Sequence, residues 1–340
     1  ICGCGVAFKL IHALSGNEEF YRNINRYLEI VSLATICDIM PILDENRIIV
    51  KNGMEILGQG NNLGMQALLE VCGLDGTKIK SSHLGFAIGP RINASGRLGF
   101  SKLGVELFTS DSLEEAKSLA LMMDSKNTER QEVEARIHME VEEILSKDTS
   151  YKDDKVLVIS GKDWHHGIIG IVASKVTEKY YKPCILLCQE GDMAVGSARS
   201  IKGFDIFSAL YECRDYMTKF GGHQQAAGMS MEVAKIALLR EKINKIANYE
   251  LNQEDLVEVI KVEYEIDQAS LDLDLVDNLH ILEPFGIKNP TPYFMMRNCL
   301  LKRLMPIGRD KNHLKLLVEK DRDFDVIGFN MAYLGTGYQE

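Results

Sequence analysis

The stretch that most limits what this chain can fold into runs from Ser112 to Lys147. Leu113, Ala116, Leu119, Ala120 and Met123, then Val133, Ile137, Val141 and Ile144, recur at helical spacing. Between them, Asp124 to Arg136 is strongly polar. A long helix that is polar in its middle is the mark of a connector between two domains. Simple solvation is the first explanation of the polar centre; Asp124 to Gln131 facing a shared cleft is the second. With 340 residues the chain exceeds one ordinary core, so two or three domains are expected.

A hydrophobic content of 46% with 26% charged residues is that of a globular protein. No apolar run approaches the ~20 residues needed to span a bilayer, so no membrane is expected. The opening Ile1-Cys2-Gly3-Cys4 reads as the middle of a fold, and the expectation is a chain cut from something longer. Among the eight cysteines only Cys2/Cys4 and Cys184/Cys188 are close pairs, and neither has zinc-site spacing, so reduced thiols in the cytoplasm are expected. A net charge of −10 argues superficially against a nucleic-acid partner. The distribution says otherwise: Glu250 to Glu283 holds eleven acidic residues and one lysine, while Pro284 to Lys320 holds eight basic residues and two acidic ones.

Gly5 to Ala13 and Glu18 to Leu33 read as helices, and Asn46 to Val50 as a strand edge. Gly53 to Cys72 reads as helical. Asp38 interrupts an apolar run, Leu33 to Leu43, where a carboxylate is costly unless paired or metal-bound. It is either a metal ligand at a strand end or the N-cap of the next turn. Leu84 to Gly99 sets Arg91, Asn93 and Arg97 among glycines, as in a binding loop leaving a core, and arginine forks match phosphate oxygens. Solvated arginines on a surface turn are the alternative.

Lys155 to Ile159 opens a new unit as a strand. His165, His166 and Gly167 then begin a helix whose N-terminus suits an anion. Cys184 to Cys188 and Ala194 to Ser200 are further strands, the second carrying Ser197, Arg199 and Ser200. Phe220 to Gly228 packs three glycines and His223 into nine residues: either an anion-cradling turn, with Gly222 allowing close approach, or a tight turn before a buried helix. Short strands over Cys299–Arg303, His313–Glu319 and Phe324–Phe329, interleaved with Lys302, Arg309 and other basic residues, suit a small barrel binding single strands. A structural barrel with solvated lysines is the competing explanation.

Gly221 to Gly228 resembles the GGHxxAAG signature of the domain associated with DHH phosphoesterases. Together with Trp164–Ser174, Gly89–Arg97, Ser197–Ser200 and Leu282–Pro290, in that family's order, it makes nearly the whole chain resemble the RecJ family of that superfamily. The resemblance implies two α/β domains joined by a long helix and followed by an OB-like β-barrel. The corresponding spans are 1–110, the C-terminal part of a DHH domain; 111–150, the connector; 151–250, the associated domain; and 251–340, the OB-like domain. It implies a 5′-to-3′ exonuclease specific for single-stranded DNA, using Mn²⁺ or Mg²⁺, in repair and recombination, acting as a monomer. Asp38 would be a metal-binding catalytic aspartate. Arg91, Asn93 and Arg97 would lie in a loop closing on the substrate, Arg91 and Arg97 as catalytic groups. His165, Ser197, Arg199, Ser200, Gly222 and His223, with Lys302 and Arg309 of the OB-like part, would bind DNA.

The chain departs from the family in lacking the Asp-x-Asp and Asp-His-His motifs that supply most metal ligands. It is therefore expected to be inactive or nearly so alone. Ala198 stands where the family often has glycine. A phosphoesterase of the same superfamily acting on short oligonucleotides or cyclic dinucleotides, and a module that holds single strands without cutting, are the competing functions. The basic C-terminal segment argues against the former.

Overall fold

The computed structural model describes residues 1–337. They divide into two units, one of residues 1–40 and 44–259, the other of residues 41–43 and 260–340 as far as described.

The first unit is organised on the expected helix, α7 below. Ahead of it come α1 (Gly3–Cys37), α2 (Asp44–Ile56), α3 (Leu63–Val71), α4 (Ser81–His83), α5 (Gly89–Arg97) and α6 (Lys102–Thr109). α1 bends at Gly16, whose φ of 72° leaves the helical region, so it is in effect the two expected helices end to end. Three expectations fail here. Residues 46–50 lie inside α2 and form no strand edge. The helical stretch from Gly53 to Cys72 is broken between α2 and α3, with Asn62 capping α3 by accepting from Met65 N at 3.0 Å. Leu84 to Arg97 is no loop: a π-turn over Leu84–Ile88 runs into α5, with Pro90 just past the junction. The described elements of residues 1–110 are all helical, so the α/β character of the unit resides in the residues after α7.

α7 spans Leu113–Lys147, with the Ser112 side chain accepting from Glu115 N. Its buried positions are Ala116, Ala120, Met123, Asn127, Glu134, Ile137 and Val141. Arg130, its side chain only 12% exposed, completes an alternating three- and four-residue stripe. The first part of the stripe enters a core with Met65, Leu68, Leu84, Ile88 and Leu107; the last enters a second core with Ile159, Ile169 and Val172. The helix thus bridges two cores; its polar centre is mostly solvated, as first expected, with Ser125, Thr128, Glu129, Gln131 and Glu132 exposed, but Asn127 and Glu134 are buried.

After α7 come β1 (Leu157–Lys162), α8 (Ile169–Tyr180), β2 (Cys184–Glu190), β3 (Met193–Arg199), α9 (Ile206–Glu212), β4 (Met217–His223), β5 (Ala226–Glu232) and α10 (Ile236–Glu250). The sheet order is β1-β2-β3-β5-β4. β1 and β2 are parallel, joined through α8, and the other pairs are antiparallel. Cys184 to Cys188 are all buried because helices cover both faces of the sheet: α7 and α8 over Leu186, α9 and α10 over Ile185 and Leu187. All eight cysteines are free thiols.

The second unit holds β6 (Tyr264–Glu265), α11 (Leu273–Leu279), β7 (Phe294–Met295), β8 (Leu300–Ile307), β9 (His313–Glu319) and β10 (Asp323–Gly328). β10-β9-β8 form an antiparallel sheet and β6-β7 a parallel pair. The three expected strands are present, but the described residues do not close into the expected barrel. Among the described residues no helix is long and apolar enough to cross a membrane.

Candidate nucleic-acid interface

Arg199 ends β3 and turns back under α8. Its Nε donates to Ser174 Oγ at 3.1 Å, and its Nη1 donates to Ser197 Oγ at 3.0 Å and to Ala198 O at 2.7 Å. Gly170 makes this packing possible: a Cβ there would stand 2.9 Å from both Arg199 Nη2 and Ser197 Oγ. Arg97, at the end of α5, donates from Nη1 to Gly167 O at 3.0 Å. Two arginines more than 100 residues apart in sequence thus meet across the start of α8. Burial, followed by the charge of Arg97, holds the Arg199 guanidinium below the usual arginine range. Burial and then Arg130 do the same to Arg97, with Glu134 acting in the opposite sense.

Behind Arg97 lies the polar part of the α7 stripe. Arg130 pairs with Glu134 and donates to Asn127 Oδ1 at 2.6 Å. Lys175 of α8 reaches Glu134 Oε1 at 2.5 Å. Three cations, Arg97, Arg130 and Lys175, therefore bear on one carboxylate that is only 3% exposed, and Arg199 adds its charge beside Arg97. Against the net −10 of the chain, this locality is positive and short of anions. Sequence reasoning missed Glu134 and Lys175, and took in Asn127 and Arg130 only through the second explanation of the Asp124–Gln131 stretch. The signal for the residues of α7 was available: residues 127, 130 and 134 continue the three–four spacing of the apolar positions.

The N-terminus of α8 is less open to an anion than expected. Gly167 N donates to His165 Nδ1 at 3.1 Å, and Ile168 N and Ile169 N both reach His165 O, at 2.9 and 3.1 Å. The turn satisfies its own donors, and His165 serves it from a half-buried position. The glycine-rich stretch of residues 220–228 is not a tight turn before a buried helix. It is the hairpin of β4 and β5, with Gln224 and Gln225 as its two-residue turn. Gly222 is required because a Cβ would strike Ala226 O and stand 2.5 Å from Ala227 Cα. The hairpin tip is tied to the strand bearing Arg199, as Ser200 N donates to Gln225 O at 3.0 Å. Ser200 Oγ is taken up by Phe204 O at 2.8 Å, and His223 is exposed on the edge strand.

Other expected residues stand apart. Arg91 is held by Asp124 at 2.8 Å and by Ala87 O at 2.7 Å, inside the helical packing. Asn93 is exposed and, with Arg97, lines a hollow of about 430 Å³ beside Ser95 and Gly104. Asp38 sits at the C-terminal end of α1, its N–H bonded to Ala34 O at 2.9 Å, so it is neither at a strand end nor an N-cap. Its side chain is exposed, and it bears on the thiols of Cys4 and Cys37, the latter pushed up to about 11 chiefly by burial. Among the described residues no three His, Cys, Asp or Glu side chains stand together as a metal site, so the residues present do not fit a complete divalent-ion centre. In the second unit Lys302 occupies the β8 bulge and pairs with Glu319 at 2.7 Å and Asp323 at 2.6 Å. Arg309 is exposed.

The chain is similar to known proteins over most of its length. Residues 153–248 match the DHHA1 domain family and residues 262–340 the RecJ OB domain family. The single-stranded-DNA-specific exonuclease RecJ of Bacillus subtilis (strain 168) is 35% identical over 340 residues, covering 99% of this chain and 42% of that protein. The chain thus spans less than half the length of that relative. Among solved structures, RecJ of Thermus thermophilus in complex with Mn²⁺ aligns with a TM-score of 0.79 at 25% identity, covering 90% of this chain and 44% of that one. The Mg²⁺ complex aligns at 0.77 and 26% identity, covering 90% and 46%.

Proposed function

Because the chain is RecJ-like along nearly its whole length, we propose that it grips single-stranded DNA for a metal-dependent, 5′-to-3′ exonuclease that hydrolyses phosphodiesters to mononucleotides. The observation that carries this reading is the meeting of Arg97 and Arg199 across the start of α8. Two guanidinium groups partly shielded from water, with two more cations behind them, suit a phosphate of the DNA backbone. A bound phosphate would supply the negative charge that Glu134 alone does not. Ser197 and Ser174 orient the Arg199 fork, and the Gly167 carbonyl orients that of Arg97. Such preorganised donors hold a scissile strand without reorganising as charge develops. Asn93, beside Arg97 on the same hollow, and His223, on the exposed hairpin edge, are the further contacts proposed for the strand.

Mn²⁺ or Mg²⁺ would supply the activated water, and Asp38 is the residue of this chain proposed to bind it. One exposed carboxylate does not hold such an ion, so the grip on DNA is the part of the function proposed for these residues alone. The same reading carries a monomeric, cytoplasmic protein. The match of residues 262–340 to the RecJ OB domain favours a long single strand over a cyclic dinucleotide as ligand.

The test is a labelled single strand incubated with Mn²⁺ and either this chain or the Bacillus subtilis protein. The expected result is that both bind, with affinity falling steeply as salt rises, and that only the longer protein cuts. Failure of this chain to bind at low salt would sink the gripping role. Robust cutting by this chain would overturn the assignment of the metal chemistry to residues beyond Asp38.

A further inference from the structure

We propose that Glu134 is a positioning residue for the phosphate grip: it holds Arg97 in place by offsetting Arg130 and by tying α7 to α8 through Lys175. The inference rests on the reading of Arg97 and Arg199 as phosphate-holding groups. Its ground is the position of Glu134 at the junction of three helices. α7 carries it, α8 reaches it through Lys175 at 2.5 Å, and Arg97 at the end of α5 lies within its electrostatic reach.

A carboxylate that is 3% exposed in the middle of a connector is expensive unless something requires it. An apolar residue would continue the stripe set by Met123 and Ile137 at far lower desolvation cost. What Glu134 supplies is charge. Without it, Arg97 and Arg130 would repel one another, and the other carboxylate between α5 and α7, Asp124, is already taken by Arg91. Arg97 has one hydrogen bond to hold it, to Gly167 O, and that residue leads into the helix Lys175 fastens. Arg130, by contrast, keeps Asn127 as a partner if Glu134 is neutralised. The group free to move is therefore Arg97. α8 also bears Gly170 and Ser174, which seat Arg199, so the Glu134–Lys175 pair bears on both arginines of the grip.

The experiment is a double-mutant cycle on this chain, with binding of a fluorescent single strand at low salt as the readout and thermal melting as a control. Glu134→Gln is expected to weaken binding about tenfold in the parent and less than about twofold when Arg97 is already alanine. A merely structural Glu134 would cost the same factor in both backgrounds, and that result overturns the inference while leaving the grip intact. If Arg97→Ala itself leaves binding unchanged, the phosphate-holding reading fails and takes this inference with it. The variant R130Q/E134Q removes both the carboxylate and the charge it offsets, and serves if Glu134→Gln alone does not fold. Its binding is expected to fall by less than the roughly tenfold set for Glu134→Gln, because the repulsion on Arg97 is gone, but not to stay at the parent's level, because the tie to Lys175 and the Arg130 charge are lost as well. A tenfold or greater loss in that folded variant would overturn the role of Arg130 repulsion and with it the proposal.

Discussion

Two glycine-dense stretches, residues 84–99 and 220–228, look alike in sequence and end in opposite structures. The first is a π-turn running into a helix; the second is a β-hairpin at a sheet edge. In each, one glycine is demanded by contact with a neighbour. A Cβ on Gly89 would come 2.5 Å from Cys37 Sγ, and one on Gly222 would strike the opposing strand of its own hairpin. In each, another glycine faces open space: Gly96 and Gly221 have nothing within 4 Å of where a Cβ would stand. Glycine density therefore marks places where backbone comes close to something, and it does not say whether that backbone is helix or strand. The partners differ too. Arg91 and Arg97 of the helix are both held by acceptors, whereas His223 of the hairpin stands exposed.

The comparison is broken most severely at Gly222. Gly222→Val forces a branched side chain into the backbone of residues 226 and 227 and is expected to cost about 3 kcal/mol or more of stability in urea unfolding. A loss below about 1 kcal/mol would show that the hairpin can part without cost.

The helical side carries a pH dependence of its own. Glu29 of α1 is 1% exposed, and burial raises its carboxyl to about 7, against the lowering effects of Asn61 and the Gly58 N–H. The folded state thus holds its proton more tightly than the unfolded chain does. This carboxyl imposes no penalty below about pH 4.5, a growing one between about 4.5 and 7, and a constant one above. Glu29→Gln is expected to stabilise on the order of 2 kcal/mol more at pH 8 than at pH 4. Parallel stability–pH curves for the two proteins would refute this. Hydrogen exchange should show residues 1–110 loosening first as pH rises through 7, with the hairpin unchanged.

The smallest effects sharpen the contrast between contact and space. Gly96→Ala, on α5, should stabilise by about 0.5–1 kcal/mol through helix propensity alone. Gly221→Ala, on the edge strand, should stay within about 0.5 kcal/mol. Any loss of single-strand binding by either folded variant then reports the close approach of the ligand itself.

Much of the fold was legible from the chain alone. α7 declared itself through spacing, and β9 falls on its expected residues, His313 to Glu319. Cys184 to Cys188 reads as a buried strand, and helices cover both of its faces. α5 was not legible. Gly89, Pro90 and Gly96 lower its intrinsic propensity, and it forms because packing against α7 and α1 outweighs that cost. The second unit was legible as strands but not as a site. Lys302 looks free in a basic segment and is paired with two acids brought to it by β9 and β10.

The candidate site divides along the same line. Periodicity is local, set by neighbours three and four residues away, so the chain alone specifies which face of α7 is covered. It also specifies that Ser197, Arg199 and the glycines of residues 220–228 recur near strand ends. Whether a charge on the covered face is tolerated depends on partners remote in sequence. Glu134 can be buried only because α5 and α8 deliver Arg97 and Lys175 to it, and Arg97 meets Arg199 only because Gly170 leaves room beneath α8. Asp38 is the converse. Its run of apolar neighbours suggested burial, but helix α1 ends there and leaves the carboxylate in water. Desolvation is a property of the assembled environment, and no window of sequence contains it.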